Sequence, residues 1–145
     1  MSNVNISWLV KEPDDIFVEH TEYYAGTCSN EDDLELDIEL WNNRWNTKED
    51  VDTIENAKLI ISFANAEDST LLSFCTVKVE NADYEKPELI TFNRASVNLG
   101  SISGLKNDGS LSNKSNYKTI SIRFSGIPRT YKSGLKSMFL DVQYE

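Results

Sequence analysis

Alternation of apolar and polar residues dominates the middle of the chain. From Leu34 to Trp41, leucine or isoleucine stands at every second position, with Glu35, Asp37 and Glu39 in between. Because successive side chains of a β-strand point to opposite faces, this pattern predicts a strand with one face on a core and the other in water. A helix would scatter the same apolar residues around its whole circumference, so the helical interpretation fails.

Further runs with the same two-residue period follow along the chain. They predict strands over residues 58–63, 71–80, 88–92, 95–99, 117–124 and 138–144, with an earlier strand around residues 19–25. Single helical turns are predicted over residues 64–70 and 131–135. Asparagine, glycine and proline residues separate the runs and are typical of turns. Seven to nine short strands without an amphipathic helix predict an all-β protein, an antiparallel β-sandwich of the Ig-like or jelly-roll-like kind.

The first 18 residues do not follow this alternation. They contain a group of apolar side chains on either side of Pro13, namely Trp8, Leu9, Val10, Ile16 and Phe17. We expect residues 1–18 to form an N-terminal arm that packs on its own domain or on a neighbouring chain. Residues 19–145 are then expected to form a single sandwich domain.

Net charge limits the partners of the chain. The formal charge is −10, and residues 1–56 carry 15 acidic and 3 basic side chains. Such a surface repels phosphate groups, so we expect neither nucleic acid nor an anionic membrane as a partner. Residues 57–145 carry 9 acidic and 11 basic side chains. This asymmetry would serve head-to-tail contacts between copies, or it would cancel where the two halves pair as strands of one fold.

The chain lacks the residues that most catalytic and metal centres need. His20 is the only histidine, and no nucleophile motif or glycine-rich phosphate loop accompanies it. Cys28 and Cys75 lie too far apart for a CxxC motif, and we expect Cys75 to be a buried free thiol within an apolar strand. We therefore predict a protein that is not an enzyme and that has no cofactor.

Clustered carboxylates suggest calcium as the one cation worth testing. Four aspartates stand close together in two probable loops, namely Asp32, Asp33, Asp50 and Asp52. Oxygen ligands of this kind suit a hard cation, but neither loop has the spacing of a known calcium motif. Solvated loops without a metal are the simpler interpretation.

The stretch Trp41-Asn42-Asn43-Arg44-Trp45 is the most unusual one in the chain. Exposed tryptophans stack on sugar rings, while asparagine and arginine side chains bind hydroxyl groups, so Trp41, Asn43, Arg44 and Trp45 are candidate ligand contacts. The same residues are suited to a protein–protein contact. In a third interpretation Trp45 closes the end of the sandwich and Arg44 pairs with the acidic loop that follows. Trp41 is out of phase with the apolar face of its strand, which favours the outer face or an interface.

Residues 33–145 resemble Ig-like β-sandwich modules encoded by phages and prophages of Gram-positive bacteria. The resemblance rests on the strand before Trp41, the Trp41–Trp45 stretch, the strand over residues 57–63 and the ending Ser133-Gly134-Leu135-Lys136 before the final strand. It implies a virion component of the capsid, neck, tail or baseplate, and it brings no catalytic residues.

We therefore expect a non-enzymatic structural or adhesion protein that acts through protein–protein contacts in a larger assembly, as a homo-oligomer or with other virion proteins. One alternative is a carbohydrate-binding module that recognises host cell-wall glycan. A second alternative is a carboxylate-dependent hydrolase. The sequence starts without the pattern of a signal peptide and has no apolar run long enough for a membrane span, so we expect the virion, or the host cytoplasm before assembly.

Overall fold

Nine strands form two antiparallel sheets in the computed structural model, which describes residues 3–20, 22–26, 33–128 and 136–144. In chain order the strands are β1 (Ile6–Lys11), β2 (Phe17–Glu19), β3 (Leu34–Asn42), β4 (Ile54–Phe63), β5 (Cys75–Val79), β6 (Glu88–Thr91), β7 (Arg94–Ile102), β8 (Tyr117–Phe124) and β9 (Met138–Gln143). One sheet has the order β2-β1-β3-β8-β5 and the other the order β6-β7-β4-β9. The prediction of an all-β antiparallel sandwich is confirmed.

The core lies between the two sheets and follows from the alternation in β3, β4 and β8. Ile38 of β3 pairs with Ile120 of β8, and both side chains belong to one cluster with Leu59 and Ile61 of β4. All four are at most 2% exposed. Truncating a side chain of this kind to alanine removes apolar burial and leaves a cavity, at a cost of about 2–5 kcal/mol.

The first residues of the chain pack on their own domain, one of the two expected positions, but they do so as strands of the five-stranded sheet and not as a separate arm. β1 lies between β2 and β3, with Trp8 opposite Leu40 and Leu9 opposite Glu39. Alternation fails here because both faces of β1 are covered. Val10 joins the main core, whereas Leu9 belongs to a smaller cluster on the outer face of the five-stranded sheet.

The smaller outer cluster also contains Trp41 and Tyr117, and Phe17 packs against it. Ile16, one of the five apolar residues named for the expected arm, is 58% exposed. The predicted strand around residues 19–25 is likewise corrected. β2 ends at Glu19, and residues 22–26 form no strand.

A 3₁₀ helix over Ala66–Phe74 replaces the start of one predicted strand and extends the predicted helical turn. Leu71 and Leu72 are adjacent in sequence and both are buried, which a helical turn allows and a one-sided strand does not. A second 3₁₀ turn covers Lys114–Asn116. The helical turn predicted over residues 131–135 lies outside the described residues.

Opposite charges of the two halves of the chain meet inside the fold. Acidic β3 and basic β8 are neighbours, with Glu35 opposite Arg123. Within the second half, Lys136 Nζ lies 3.3 Å from the carboxylate of Asp68, which is buried. Part of the charge asymmetry is therefore neutralised within one chain. None of the helices in the described part has the length and apolar character that crossing a bilayer requires.

Candidate functional site

One end of the sandwich is built by the connections between β3 and β4 and between β7 and β8. We call residues 43–53 and 103–116 together the loop end. Three asparagine side chains of the loop end and one at the end of β3 beside it are at most 6% exposed; they are Asn43, Asn107, Asn116 and Asn42. Buried amides must find partners, because an unpaired polar group loses its hydrogen bonds to water on folding.

Asn43 bonds both connections together. Its Nδ2 donates to the carbonyl oxygens of Glu49 and Gly104 at 2.9 and 3.0 Å, and its Oδ1 accepts from Nδ2 of Asn46 at 2.8 Å. The φ angle of Asn43 is 62°. Asparagine tolerates this left-handed conformation better than most residues, because its short side chain bonds locally.

Asn107 links the second connection to the first. Its Nδ2 donates to the carbonyl oxygen of Asn43 at 2.8 Å, while its Oδ1 accepts the backbone N–H groups of Trp45 and Gly109 at 3.0 and 2.9 Å. Asn116 bonds to the carbonyl oxygens of Ser103 and Leu105 at 3.0 and 2.8 Å. These side chains take the place of the regular ladder bonds that the loops lack.

Gly104 allows the two connections to lie in direct contact. A Cβ atom at this position would lie 2.3 Å from the carbonyl oxygen of Val51 and 2.6 Å from that of Asp52. The N–H of Val51 donates to the carbonyl oxygen of Gly104 at 2.8 Å. Any larger residue would force the connections apart and loosen the loop end.

Trp45 lies in the loop that these hydrogen bonds hold, and its backbone has an unusual conformation. Its φ angle is 62°, a value that costs an ordinary L-residue roughly 1–2 kcal/mol. The side chain is nevertheless 68% exposed, so core burial does not offset that strain. Gly109 makes room for the indole, because a Cβ there would lie 3.1 Å from Cγ of Trp45.

Arg44 lies between two tryptophan rings. Its Cζ is 5.8 Å from the ring centre of Trp41 and 5.2 Å from that of Trp45. Trp41 in turn stacks on Tyr117, with ring centres 4.5 Å apart and planes 26° apart. We call Tyr117, Trp41, Arg44 and Trp45 the aromatic stack. It begins on the outer face of the five-stranded sheet and ends at solvent.

The inner members of the aromatic stack are fixed by hydrogen bonds. Nε1 of Trp41 donates to Glu39 at 3.0 Å, and the hydroxyl of Tyr117 donates to the carbonyl oxygen of Leu111 at 2.7 Å. Burial, followed by the negative charges of Glu39 and Glu80, raises the pKa of Tyr117. Its phenol therefore stays protonated at neutral pH and keeps its donor role.

The four predicted contact residues come together at the loop end, but in two different roles. Trp41 and Asn43 are 1% and 0% exposed, so they support the site from inside. Trp45 is open to solvent and Arg44 is half-buried. Sequence reasoning missed Asn107 and Gly109 as supports of Trp45. The turn Asn107-Asp108-Gly109 is visible in the sequence, but its pairing with residue 45 depends on the fold.

The three candidate calcium ligands that the structure describes are not part of any group that could hold a metal ion. Asp33, Asp50 and Asp52 are exposed, and Asp50 accepts the backbone N–H of Lys106 at 2.8 Å. Asp32 lies outside the described residues. Within residues 3–20, 22–26, 33–128 and 136–144, no group of three or more acidic, histidine or cysteine side chains is arranged to hold a metal ion.

Cys75 is a buried free thiol, as predicted. Burial raises its pKa to about 12, so the reactive thiolate is scarce at neutral pH. Cys28 lies outside the described residues. Cys75 therefore belongs to the core and not to a reactive site.

A groove of about 290 Å³ lies beside β5 and β7 at the open side of the sandwich. Val77, Val79 and Val97 line it together with the charged residues Asp83 and Glu85 among others. Both of these carboxylates and that of Glu88, which also lines the groove, are exposed to solvent. Among the described residues, the groove therefore has no buried carboxyl group in its lining.

Fold and site together define a β-sandwich with a stacked cationic and aromatic site at one end. No protein-family model and no curated protein matches the chain. A solved structure of similar fold carries the description "AvmM Catalyzes Macrocyclization in Alchivemycin A Biosynthesis". It shares 14% sequence identity and a TM-score of 0.46, over 99% of this chain and 75% of that one.

This comparison corrects the predicted function. The similar structure is that of an enzyme, whereas we predicted a non-enzymatic structural or adhesion protein of a virion, and that prediction is withdrawn. At this TM-score and identity, the similarity does not transfer the activity of AvmM to this chain. The resemblance to phage modules is tested by none of the comparisons.

Proposed function

We propose that the chain binds a ring-bearing ligand by stacking it on Trp45. The observation that carries this proposal is the combination of exposure and strain at one residue. The indole of Trp45 is 68% exposed at a φ of 62°. Glycine or asparagine would satisfy this turn at lower free energy, so stability alone does not explain a tryptophan here. Residues held in sparsely populated conformations cluster at binding sites.

The surrounding loop supports binding because it holds Trp45 in place before a ligand arrives. Asn107 fixes the backbone N–H of Trp45, and the absence of a side chain at Gly109 leaves room for the indole. A rigid aromatic residue loses little conformational entropy on binding, so more of the stacking energy remains as affinity. The flat face of a sugar ring and that of an aromatic ring both fit an open indole.

Affinity for a single ring is expected to be weak. A ligand of about 12 heavy atoms at roughly 0.3 kcal/mol per atom gains some 4 kcal/mol, which corresponds to a dissociation constant of about 1 mM. Tighter natural ligands would add contacts around the ring. The first probes should therefore be soluble at millimolar concentration, and the readout should report on Trp45 directly.

Nuclear magnetic resonance titration of the ¹⁵N-labelled full chain provides that readout. Chitotriose and indole-3-acetamide serve as a sugar probe and an aromatic probe. We expect at least one of them to shift the indole N–H signal of Trp45 in a saturable way. Trp45→Ala should abolish binding, whereas Trp45→Phe should keep part of it because a flat ring remains.

Phe92→Ala is the matched control, because Phe92 is 71% exposed and lies in the turn between β6 and β7. This variant should bind like the wild type. Binding that survives Trp45→Ala, or that is lost equally in Phe92→Ala, would show that Trp45 is not the platform. No saturable shift with either probe would count against the proposal.

A further inference from the structure

We propose that the ligand stacked on Trp45 carries one anionic group, a carboxylate or its equivalent, and that Arg44 binds it. This inference rests on the proposed function and names the chemistry of the same site. It starts from a polar group that the fold leaves without a partner. Nε of Arg44 is buried and has no hydrogen-bond acceptor. A buried donor without an acceptor is rare and calls for an explanation.

The charge of Arg44 is also not neutralised by its neighbours. In the described part of the chain the ion pairs are Lys11 with Asp15 and Asp37, His20 with Glu12, and Lys136 with Asp68. Arg44 is in none of them, although its own loop contains Glu49 and Asp50. Those carboxylates are exposed. The fold therefore stacks this guanidinium on indoles and leaves its ion-pairing capacity open.

The aromatic stack determines how an anion would approach. Two indole rings lie near the planar guanidinium, with the ring centres of Trp41 and Trp45 5.8 and 5.2 Å from Cζ, so they occupy part of the space around its plane. Arginine donors lie in that plane and match two oxygens of a carboxylate at once. A carboxylate attached to a ring on Trp45 would therefore find both partners, the indole and the guanidinium, within the span of one small molecule.

The overall charge of the chain favours a single anionic group over a polyanion. A net charge of −10 repels extended phosphate chains such as nucleic acids. Charges on the far side of the molecule are screened beyond about 10 Å at 0.1 M salt, whereas a contact at Arg44 is much less screened. A monocarboxylate ring meets these conditions, as in an acidic sugar or an aromatic acid.

Two probe pairs that differ only in charge test the inference on the full chain. The first pair is indole-3-acetate and indole-3-acetamide. The second pair is methyl glucuronoside, whose carboxylate is ionised at neutral pH, and the corresponding amide. We expect the anionic member of at least one pair to bind 5- to 20-fold tighter in the titration. Arg44→Gln should reduce this ratio to about 1, and Arg44→Lys should retain only part of it, because lysine lacks the planar pair of donors.

Lys48→Gln is the matched control, since it removes an exposed cation from the same loop, and it should leave the ratio unchanged. Circular dichroism confirms that each variant is folded. Equal, Trp45-dependent binding of both members would overturn this inference and leave the proposed function intact. A preference for the anion that survives Arg44→Gln would also overturn it. If no probe bound in a Trp45-dependent way, the proposed function and the inference would fail together.

Discussion

The loop end and the opposite end of the sandwich both expose a large aromatic side chain. Trp45 is 68% exposed and Phe92 is 71% exposed. We call the second region, the turn at Phe92–Asn93 together with residues 124–128, the hairpin end. The φ of Trp45 is positive and its backbone N–H is bonded to the buried side chain of Asn107. Phe92 has a negative φ. Exposure alone therefore does not distinguish a site from a surface; at Trp45 it is combined with a positive φ and with a backbone bond to a buried side chain.

Each end also contains one buried polar atom without a partner. At the loop end it is Nε of Arg44, and at the hairpin end it is Oδ1 of Asn93. Asn93 still donates through Nδ2 to the carbonyl oxygen of Phe63 at 3.2 Å. The unpartnered donor belongs to a permanent charge beside an open ring, whereas the unpartnered acceptor belongs to a neutral amide in a turn. Only the unpartnered donor of Arg44, a permanent charge beside an exposed ring, suggests a ligand.

The largest expected difference between the two ends is in stability. Asn43→Ala removes the donor to the carbonyl oxygen of Glu49 and one of the two donors to that of Gly104, and it places alanine at a φ of 62°. We expect a loss of about 3–5 kcal/mol in the free energy of unfolding. Asn93→Ala, which removes one long hydrogen bond, should lose about 1 kcal/mol or less. Urea denaturation of both variants measures the difference, and equal losses would contradict the view that buried asparagines hold the loop end.

Substitution of a glycine by alanine should also destabilise the loop end more than the hairpin end, but with a somewhat smaller difference in the free energy of unfolding. Gly104→Ala places a methyl group 2.3 Å from a carbonyl oxygen, so the loops must shift, and we expect a loss of about 3 kcal/mol. At the hairpin end Gly126 has a φ of 71° and open space around it. Gly126→Ala should lose only about 1 kcal/mol, from backbone strain. The order of the two midpoints in urea is the critical result, and a reversed order would show that the loops tolerate separation.

Backbone strain at Trp45 predicts that the relative stability of the glycine and alanine variants is opposite at positions 45 and 92. Trp45→Gly should be about 1 kcal/mol more stable than Trp45→Ala, because both remove the ring and only glycine adopts a positive φ without strain. For Phe92 the order should reverse, with Phe92→Ala at least as stable as Phe92→Gly. Four thermal melts suffice for the comparison. The same order at both positions would remove the argument that Trp45 is held in a strained conformation.

The sandwich itself was predictable because one physical rule governs it. In β3 and β8, one face is buried and the other meets water, so alternation alone gives the strands and their inner residues. Alternation did not predict β1, because Leu9 and Val10 are adjacent and are buried on opposite faces of the strand. At the candidate site, the residue types of the Trp41–Trp45 stretch indicated the place. The division into buried supports and an exposed platform depends on Asn107 and Gly109, which are distant in sequence and come near only through the fold.

The smallest predicted effect concerns the turn beneath Trp45 and its dependence on pH. Asp108 accepts the backbone N–H of Ser110 at 3.0 Å and Nδ2 of Asn113 at 2.7 Å. These bonds, those from Ser110 first, hold the pKa of the Asp108 carboxyl below its usual value of 3.8. A group whose pKa is lowered in the folded state contributes stability above its unfolded pKa, and that contribution disappears as pH falls through the folded value.

The free energy of unfolding of the wild type should therefore decrease slightly more than that of Asp108→Asn between pH 5 and pH 2.5. Asp83→Asn, which removes one negative charge from an exposed position, corrects for the change in net charge. Urea titrations of the three proteins at several pH values measure the free energy of unfolding as a function of pH. If the curve of the wild type ran parallel to that of Asp108→Asn, the turn around Gly109 would need no carboxylate at residue 108 for its stability.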